Sequence, residues 1–284
     1  MFERFSRSWT LIKASAGVLS KDKELLVFPA LSGIATLLVM ASFALPLIGM
    51  GVFEQMGERS AAELPVGVYV LGFMFYLTQY TVIFFFNTAL VGAAMIRLRG
   101  GNPTVSDGLR IASAKLPAIF GYALIAATVG MILRVVQERA GWLGRWVAGL
   151  LGAAWTVASF LVVPVLVSRE IGAIDAVKES ASLLRKTWGE NVIGQGGIGL
   201  VFGLITFFVV MLGVALIVGA AVSQSAALIV AAVVTLVVLV VGLALFQAAL
   251  TGIYSAALYR HASGEGSSDG FDNQLLDQAF AMKR

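Results

Sequence analysis

The chain has 284 residues, a formal net charge of +4, no cysteine and one histidine, His261. Hydrophobic residues make up 59% of it and charged residues 13%, whereas about 25% of the residues in a soluble domain are charged. This composition excludes a water-soluble fold and an extramembrane catalytic domain, and the lack of cysteine excludes disulfides and thiolate metal sites.

Six apolar runs are each long enough to cross about 30 Å of hydrocarbon. We predict transmembrane helices at about 25–53, 66–96, 116–136, 147–167, 198–222 and 226–259. The fifth and sixth runs are separated only by the polar residues Ser223, Gln224 and Ser225. The expected fold is an all-α membrane protein, with residues 1–284 forming a single integral membrane domain.

Lysine and arginine are divided unequally between the two sides of the predicted spans. Of the 20 Lys and Arg residues, 16 fall on one side, and the other side carries Arg59, Arg134, Arg139 and Arg145. Because cytoplasmic loops are enriched in Lys and Arg, we expect both termini in the cytoplasm. The first 20 residues lack an unbroken apolar region, so the first span is predicted to serve as an uncleaved insertion signal.

Four segments outside the spans have apolar residues spaced three or four positions apart, as in a helix with one apolar face. They lie at about 2–20, 104–116, 173–188 and 268–282. The first stripe consists of Phe2, Phe5, Trp9, Ile12, Ala16 and Leu19, and the third of Ile174, Val177, Ala181, Leu184 and Trp188. We expect cytoplasmic amphipathic surface helices that lie on the membrane or dock on the protein's own rim.

Two of these segments begin alike, with Ser106-Asp107-Gly108-Leu109 and Ser268-Asp269-Gly270-Phe271. Ile174-Asp175-Ala176-Val177 is a looser version. An Asp in the first turn caps free N–H groups and faces the positive end of the helix dipole. The pattern predicts a unit of one surface helix and two spans, used three times. The alternative is convergence, since any helix beside a span tends toward such a pattern.

Three stretches of the chain resemble one uncharacterised family of prokaryotic integral membrane proteins, the DUF6159 proteins. They read FSRSWTLIKASAGVLSKDKELLVFPALSG, IGAIDAVKESASLLRKTWGENV and GFDNQLLDQAFAMKR. This resemblance implies a multi-pass protein of the prokaryotic cytoplasmic (inner) membrane and implies no activity. More loosely, the surface helices before spans resemble the membrane domain attached to glycerophosphodiester phosphodiesterases, whose chemistry resides in a separate soluble domain.

The polar residues placed most deeply in the predicted spans are Gln79, Asn87 and Gln247. They are candidates for a polar path or for a site that holds a polar substrate. The plainer interpretation is hydrogen bonding between helices, worth about 0.6 kcal/mol each.

A second candidate group is made of glycines at the start of the fifth span: Gly194, Gly196, Gly197, Gly199 and Gly203. Glycines at such spacing let transmembrane helices approach closely. They would otherwise unwind the helix and expose its backbone to a ligand. Close packing is the favoured interpretation.

A third candidate group lies at the external ends of the third and fourth spans: Arg134, Glu138, Arg139 and Arg145. These residues could form an anion-attracting mouth. The favoured interpretation is an interfacial network in which long side chains reach the headgroup level beside Trp142 and Trp146.

No catalytic residues, metal ligands or cofactor sites are predicted, because no titratable groups converge in the sequence. We expect a non-enzymatic structural or assembly subunit that packs with itself or with a membrane partner. The alternative is a channel or carrier for a lipid-like or small apolar substrate. Expected partners are membrane lipids and a second copy or another membrane protein, and nucleic acid is not expected.

Overall fold

The structure is a computed structural model that describes residues 2–49, 66–139, 141–186 and 191–265. Every regular element in these ranges is a helix. Their order is α1 (Phe2–Lys21), a 3-10 helix (Lys23–Leu26), α2 (Val27–Gly49), α3 (Val66–Leu98), α4 (Val105–Ala114), α5 (Leu116–Arg139), α6 (Gly141–Ser159), α7 (Val162–Ser168), α8 (Ala173–Lys186), α9 (Asn191–Val222) and α10 (Ala226–Ala262).

Six helical segments in the described ranges are long and apolar enough to cross a membrane. They are Lys23–Ile48, Val66–Leu98, Leu116–Gln137, Gly144–Ser168, Ile198–Val222 and Ala226–Ala262. Their number confirms the six spans expected from the sequence, and the end of the first predicted span, residues 50–53, lies outside the described residues. The chain is therefore a multi-pass membrane protein, built from helices because lipid offers no hydrogen bonds to an open backbone.

The fourth span is broken, although the sequence predicted one continuous run over 147–167. Helix α6 ends at Ser159, two turn residues follow, and α7 begins at Val162. Pro164 has no N–H and so cannot donate to the carbonyl of Phe160, one turn earlier. This missing donor accounts for the place of the break.

The chain divides into two compact units. The first contains Met1–Leu26, Ala94–Asn102 and Thr187–Arg284, and the second contains Val27–Ala93 and Pro103–Lys186. We refer to them as the hairpin unit, after the helix pair α9–α10, and the four-span unit.

In the hairpin unit, α9 and α10 pack along each other, and α1 packs against both. The turn between them has Gln224 at φ 55°, and Ser225 caps α10, which confirms the boundary predicted there. Close packing is set by Gly213, where an added Cβ would collide with the side chain of Leu236.

Helix α1 packs through a face that differs from the predicted apolar stripe. Leu11, Ser15 and Val18 are buried, whereas Trp9 is 43% exposed. Ile12 and Leu19 belong to both sets. Small and medium side chains let α1 approach the two spans more closely than the bulky Trp9 would, so the large aromatic ring lies outside the contact.

In the four-span unit, the short helix α4 packs against α2 and α3 through a glycine. A Cβ on Gly108 would lie 2.7 Å from the carbonyl oxygen of Ala89 and would overlap the ring of Phe28. Asp107 lies in the first turn of α4, as predicted, and the N-cap residue is Thr104. The Asp107 N–H donates to Thr104 Oγ1, and the Thr104 N–H and hydroxyl both donate to Asp107 Oδ2. This is a reciprocal capping box.

Helix α8 packs against α5, α6 and α7. Its fully buried residues are Ala176, Ser180 and Leu184, while Ile174 is 62% exposed. The predicted stripe that began at Ile174 is therefore wrong by two positions at its start. Trp188 and the surface helix predicted at 268–282 lie outside the described residues.

Candidate functional site

An aromatic column runs along α3 in the four-span unit. Successive ring centroids are 5.5, 5.8, 6.5, 5.6 and 4.4 Å apart along the series Phe43, Phe75, Tyr76, Tyr80, Phe84 and Tyr122. The first ring belongs to α2 and the last to α5. At such separations each pair adds about 0.5–1.5 kcal/mol beyond the area it buries, so the column joins three helices.

Tyrosine hydroxyls tie this column to neighbouring helices at two levels. Arg134 Nη1 on α5 donates to the Tyr76 hydroxyl over 2.8 Å. The Tyr122 hydroxyl is hydrogen-bonded to Ser159, the last residue of α6. The column therefore combines packed apolar rings with a few fixed polar groups.

A single buried hydroxyl bridges the break in the fourth span. Ser180 Oγ on α8 donates to the carbonyl of Ala158 over 2.7 Å and accepts from the N–H of Leu161 over 3.0 Å. Ser180 is fully buried. It satisfies two backbone groups that the break would otherwise leave without partners in an apolar environment.

A charged network fastens α5 to the loop between α7 and α8. Lys115 Nζ donates to the Arg169 carbonyl over 2.8 Å and to Glu170 Oε1 over 2.7 Å. Arg169 Nε lies 2.9 Å from Glu179 Oε1. Only 11% of the Lys115 side chain is exposed, so this lysine is a structural link in the described unit.

In the hairpin unit, a buried carboxylate follows α1. Asp22 is 5% exposed, and one oxygen accepts from the backbone N–H of Glu24. The pKa of Asp22 is raised, first by burial and then by the charge of Glu24, while the guanidinium of Arg97 opposes the rise. The side-chain oxygen Oδ2 has no hydrogen-bond partner among the described residues.

The three predicted polar residues fall in different units. Gln79 and Asn87 are partly buried on α3 in the four-span unit, and Gln247 is partly buried on α10 in the hairpin unit. Gln79 Oε1 is buried and has no hydrogen-bond partner among the described residues. A polar path and interhelical hydrogen bonds both remain predictions for this set.

The predicted glycines lie in a continuous helix. Helix α9 runs unbroken through Gly194, Gly196 and Gly197, so the structure shows no unwinding there. Gly199 and Gly203 are exposed, and a Cβ on either would meet no described atom within 4 Å. Their close packing is therefore not made within the described chain.

The predicted external cluster is only partly visible. Arg134 bonds Tyr76, as described above, and Arg145 is exposed in α6. The side chains of Glu138 and Arg139 lie outside the described residues. The Arg134 contact with an aromatic hydroxyl was not foreseen from the sequence.

Ser180, Lys115 and the aromatic column were also not foreseen from the sequence. The signal for Ser180 was its position four residues from both Ala176 and Leu184, which places it on one helical face with them. The column had a signal in Tyr76, Tyr80 and Phe84, also four apart. Their partners on other helices had none.

Comparison with known proteins assigns the family. Residues 66–270 match the model of a family described as "Family of unknown function (DUF6159)". The chain belongs to the DUF6159 family. No curated protein matches this DUF6159 chain. The looser likeness to the membrane domain of glycerophosphodiester phosphodiesterases stays a prediction.

Within the part of the DUF6159 chain that the structure describes, no group of three or more His, Asp or Glu residues is placed to hold a metal ion.

Proposed function

We propose that this DUF6159 protein is a non-enzymatic membrane subunit that assembles with a second copy of itself through helix α9. The supporting observation is the open side of α9, where Gly199 and Gly203 lie one helical turn apart with no described atom against them. Helices associate in lipid by close backbone packing, for which such small residues are suited. If these glycines faced lipid, the protein would lack the apolar contact with lipid that a larger side chain makes.

Further support comes from the large part of the α9–α10 hairpin that no other described residue buries. None of the most apolar stretch of α10 is buried, whereas half of the corresponding stretch of α3 is. Leu200 and Phe207 on α9 are also exposed. The hairpin thus offers a large surface on which a second copy can pack.

Cysteine cross-linking in native membranes tests this proposal, because the chain has no cysteine of its own. Gly203→Cys is expected to give a disulfide-linked dimer on oxidation. Ile205→Cys is the matched control. Ile205 is 38% exposed and lies about 3 Å deeper, but about 200° around the helix from Gly203.

Equal cross-linking at both positions, or none at either, would contradict assembly through this face. A second variant separates assembly from folding. Gly203→Leu is expected to abolish the dimer without lowering the unfolding temperature of the monomer in detergent, since no described atom occupies that space.

We propose further that the protein lies in the prokaryotic inner membrane with both termini and the helices α1, α4 and α8 in the cytoplasm. The distribution of Lys and Arg supports this orientation. A reporter fused after Arg284 is expected to be active only in the cytosol. Activity of that fusion on the outside would overturn the orientation.

We propose also that one surface helix and two spans form a unit used three times. Helix α4 packs on α2 and α3, and α8 packs on α5, α6 and α7, so each of them packs on the two spans before it in the chain. Helix α1, which has no span before it, packs on the last two spans, α9 and α10. This shared arrangement supports the repeat. If α1 forms a structural unit with spans five and six, deleting residues 2–21 is expected to make these two spans more sensitive to proteolysis and to leave the four-span unit unchanged.

A second candidate function is a carrier for a lipid-like or small apolar substrate, favoured by the buried oxygen of Gln79 beside the aromatic column. A hydrogen-bond acceptor without a partner costs about 1–3 kcal/mol, unless a guest or water donates to it. If a guest binds, Gln79→Leu is expected to lose a co-purifying molecule detectable by mass spectrometry. If none does, the variant unfolds at a higher temperature and the carrier proposal fails.

A further inference from the structure

A shallow groove lies on one face of α6, near the end where the fourth span begins. Its lining residues are Trp142, Arg145, Trp146, Gly149 and Leu150, and its volume is about 380 Å³. Their spacing of three and four positions places all five on one side of the helix. The groove is therefore formed by local sequence and does not depend on how other elements are arranged.

The groove combines one charged side chain with large apolar side chains. Arg145 is exposed and has no hydrogen-bond or ion-pair partner among the described residues. Trp142, Trp146 and Leu150 are each 69% exposed. The arginine can bind an anionic headgroup, and the apolar side chains around it can contact an acyl chain. The groove therefore suits an amphiphile better than it suits a free anion.

Gly149 gives the groove its depth. A Cβ at this position would meet no described atom within 4 Å, so the space above the glycine is open. An acyl chain can lie there against the helix backbone, with Leu150 beside it. Any larger residue at 149 would fill that space.

The depth of the arginine in the membrane fits a lipid phosphate. The apolar fourth span begins at Gly144, so Arg145 lies at the boundary between hydrocarbon and headgroups. Tryptophan is enriched at this level. A guanidinium forms paired hydrogen bonds with phosphate oxygens, which an ammonium group does not match.

We propose that Arg145, Trp142, Trp146 and Gly149 form a binding site for one anionic phospholipid, with the phosphate on Arg145 and an acyl chain over Gly149. This site is independent of the assembly proposed for α9. It predicts preference for a lipid whose net charge is negative over a zwitterionic lipid with the same acyl chains.

Native mass spectrometry of the full chain in detergent tests the site, with phosphatidylglycerol and phosphatidylcholine titrated separately. The wild type is expected to retain one phosphatidylglycerol more tightly than phosphatidylcholine. Arg145→Gln is expected to weaken the phosphatidylglycerol complex about five-fold, the effect of one basic residue near an anionic lipid surface, and to remove the preference.

Two further variants separate charge from shape. Gly149→Leu keeps the arginine but fills the groove, so both lipids are expected to bind less well. Arg185→Gln removes another exposed arginine, on α8, and is expected to leave the lipid preference unchanged.

The proposal is overturned if Arg145→Gln retains the wild-type preference, or if Arg185→Gln loses it equally. It is also overturned if millimolar inorganic phosphate displaces the lipid as well as added phosphatidylglycerol does, because the site would then recognise free phosphate. Arg145→Lys controls for misfolding of the Arg145→Gln variant. It restores the charge without the paired hydrogen bonds, and partial recovery of the preference is the expected result.

Discussion

Within the described residues, the helical hairpins α5–α6 and α9–α10 are held in different ways. The first is tied to its surroundings in the four-span unit by hydroxyl and guanidinium groups at Ser180, Tyr122 and Arg134. The second packs through apolar side chains, most closely at Gly213 against Leu236, with Phe202 and Phe246 6.1 Å apart.

This difference reflects how lipid acts as a solvent. Lipid tails are as apolar as leucine, so burying apolar surface between transmembrane helices stabilises little, and hydrogen bonds and close packing decide the arrangement. The α5–α6 hairpin therefore has an arrangement specified by polar partners. The α9–α10 hairpin is specified by shape, and it leaves much of its surface for lipid or a second copy.

The largest expected effect comes from removing the hydroxyl that bridges the broken span. Ser180→Ala leaves the Leu161 N–H and the Ala158 carbonyl without that partner, and each such group costs about 1–3 kcal/mol. We expect the free energy of unfolding to fall by about 2–4 kcal/mol. The measurement is thermal unfolding in detergent.

Ser182→Ala is the control, because Ser182 lies exposed on the same helix. It is expected to change stability by less than about 0.5 kcal/mol. Similar stability of the two variants would show that the break does not need its bridge, and the contrast between the hairpins would lose its main support.

The next prediction compares two glycines at which helices approach each other closely, one in each unit. Gly108→Ala places a methyl group against the Ala89 carbonyl and the Phe28 ring, and overpacking of this kind costs about 1–3 kcal/mol. Gly213→Ala meets only the movable end of Leu236, so a smaller loss is expected. Unfolding temperatures of the two variants check this order, and a larger loss at Gly213 would reverse the comparison.

A pH effect is expected in the hairpin unit at Asp22. Its pKa is raised in the folded protein, so the protonated form is favoured by folding. The stabilisation is present below the ordinary pKa of aspartate and is lost as the pH rises through the raised value. Asp22→Asn is expected to unfold at a modestly higher temperature than the wild type at neutral pH.

The unfolding temperature of the asparagine variant relative to the wild type should rise as the pH rises through the acidic range, because only the wild type loses the Asp22 contribution there. Glu24 and Arg97 face the same carboxylate, so Glu24→Gln is the control, expected to lower the pKa of Asp22 and weaken the dependence. A difference between Asp22→Asn and the wild type that shrinks as the pH rises would contradict this account.

The smallest effect is expected at the cap of α4 in the four-span unit. Thr104→Ala removes the two hydrogen bonds of the Thr104 hydroxyl but keeps the one from its backbone N–H, and is expected to cost about 1 kcal/mol. Hydrogen bonds from Thr104 lower the pKa of Asp107, so the contribution of this carboxylate is present above its ordinary pKa and is lost as the pH falls through the lowered value. Protection of α4 amides from hydrogen exchange, measured at two pH values, checks both statements.

Much of the fold followed from local pattern. The six spans, the turn at Gln224 and the Asp107 cap were all foreseen, because each depends on residues close together in the chain. The candidate site was foreseen far less. Gln79 was named, but the aromatic column on its helix also includes Phe43 and Tyr122, which come from distant parts of the sequence.

The apolar stripes of the surface helices were predicted with the wrong members for a related reason. Periodicity gave most weight to the largest apolar residues, Trp9 and Ile174. The contacts are made instead at Ser15, Ala176 and Ser180, where small side chains let the helices approach closely. Hydrophobicity alone does not register this preference, because it concerns shape.

The sequence by itself determined that the chain crosses the membrane six times and where each crossing lies, since hydrophobic length must match the bilayer whatever the packing. Tertiary structure alone decided that Ser180 bridges the break in the fourth span, and which spans α1 covers. These outcomes depend on partners far apart in the chain, whose hydrogen bonds and shapes become complementary only once the helices have met.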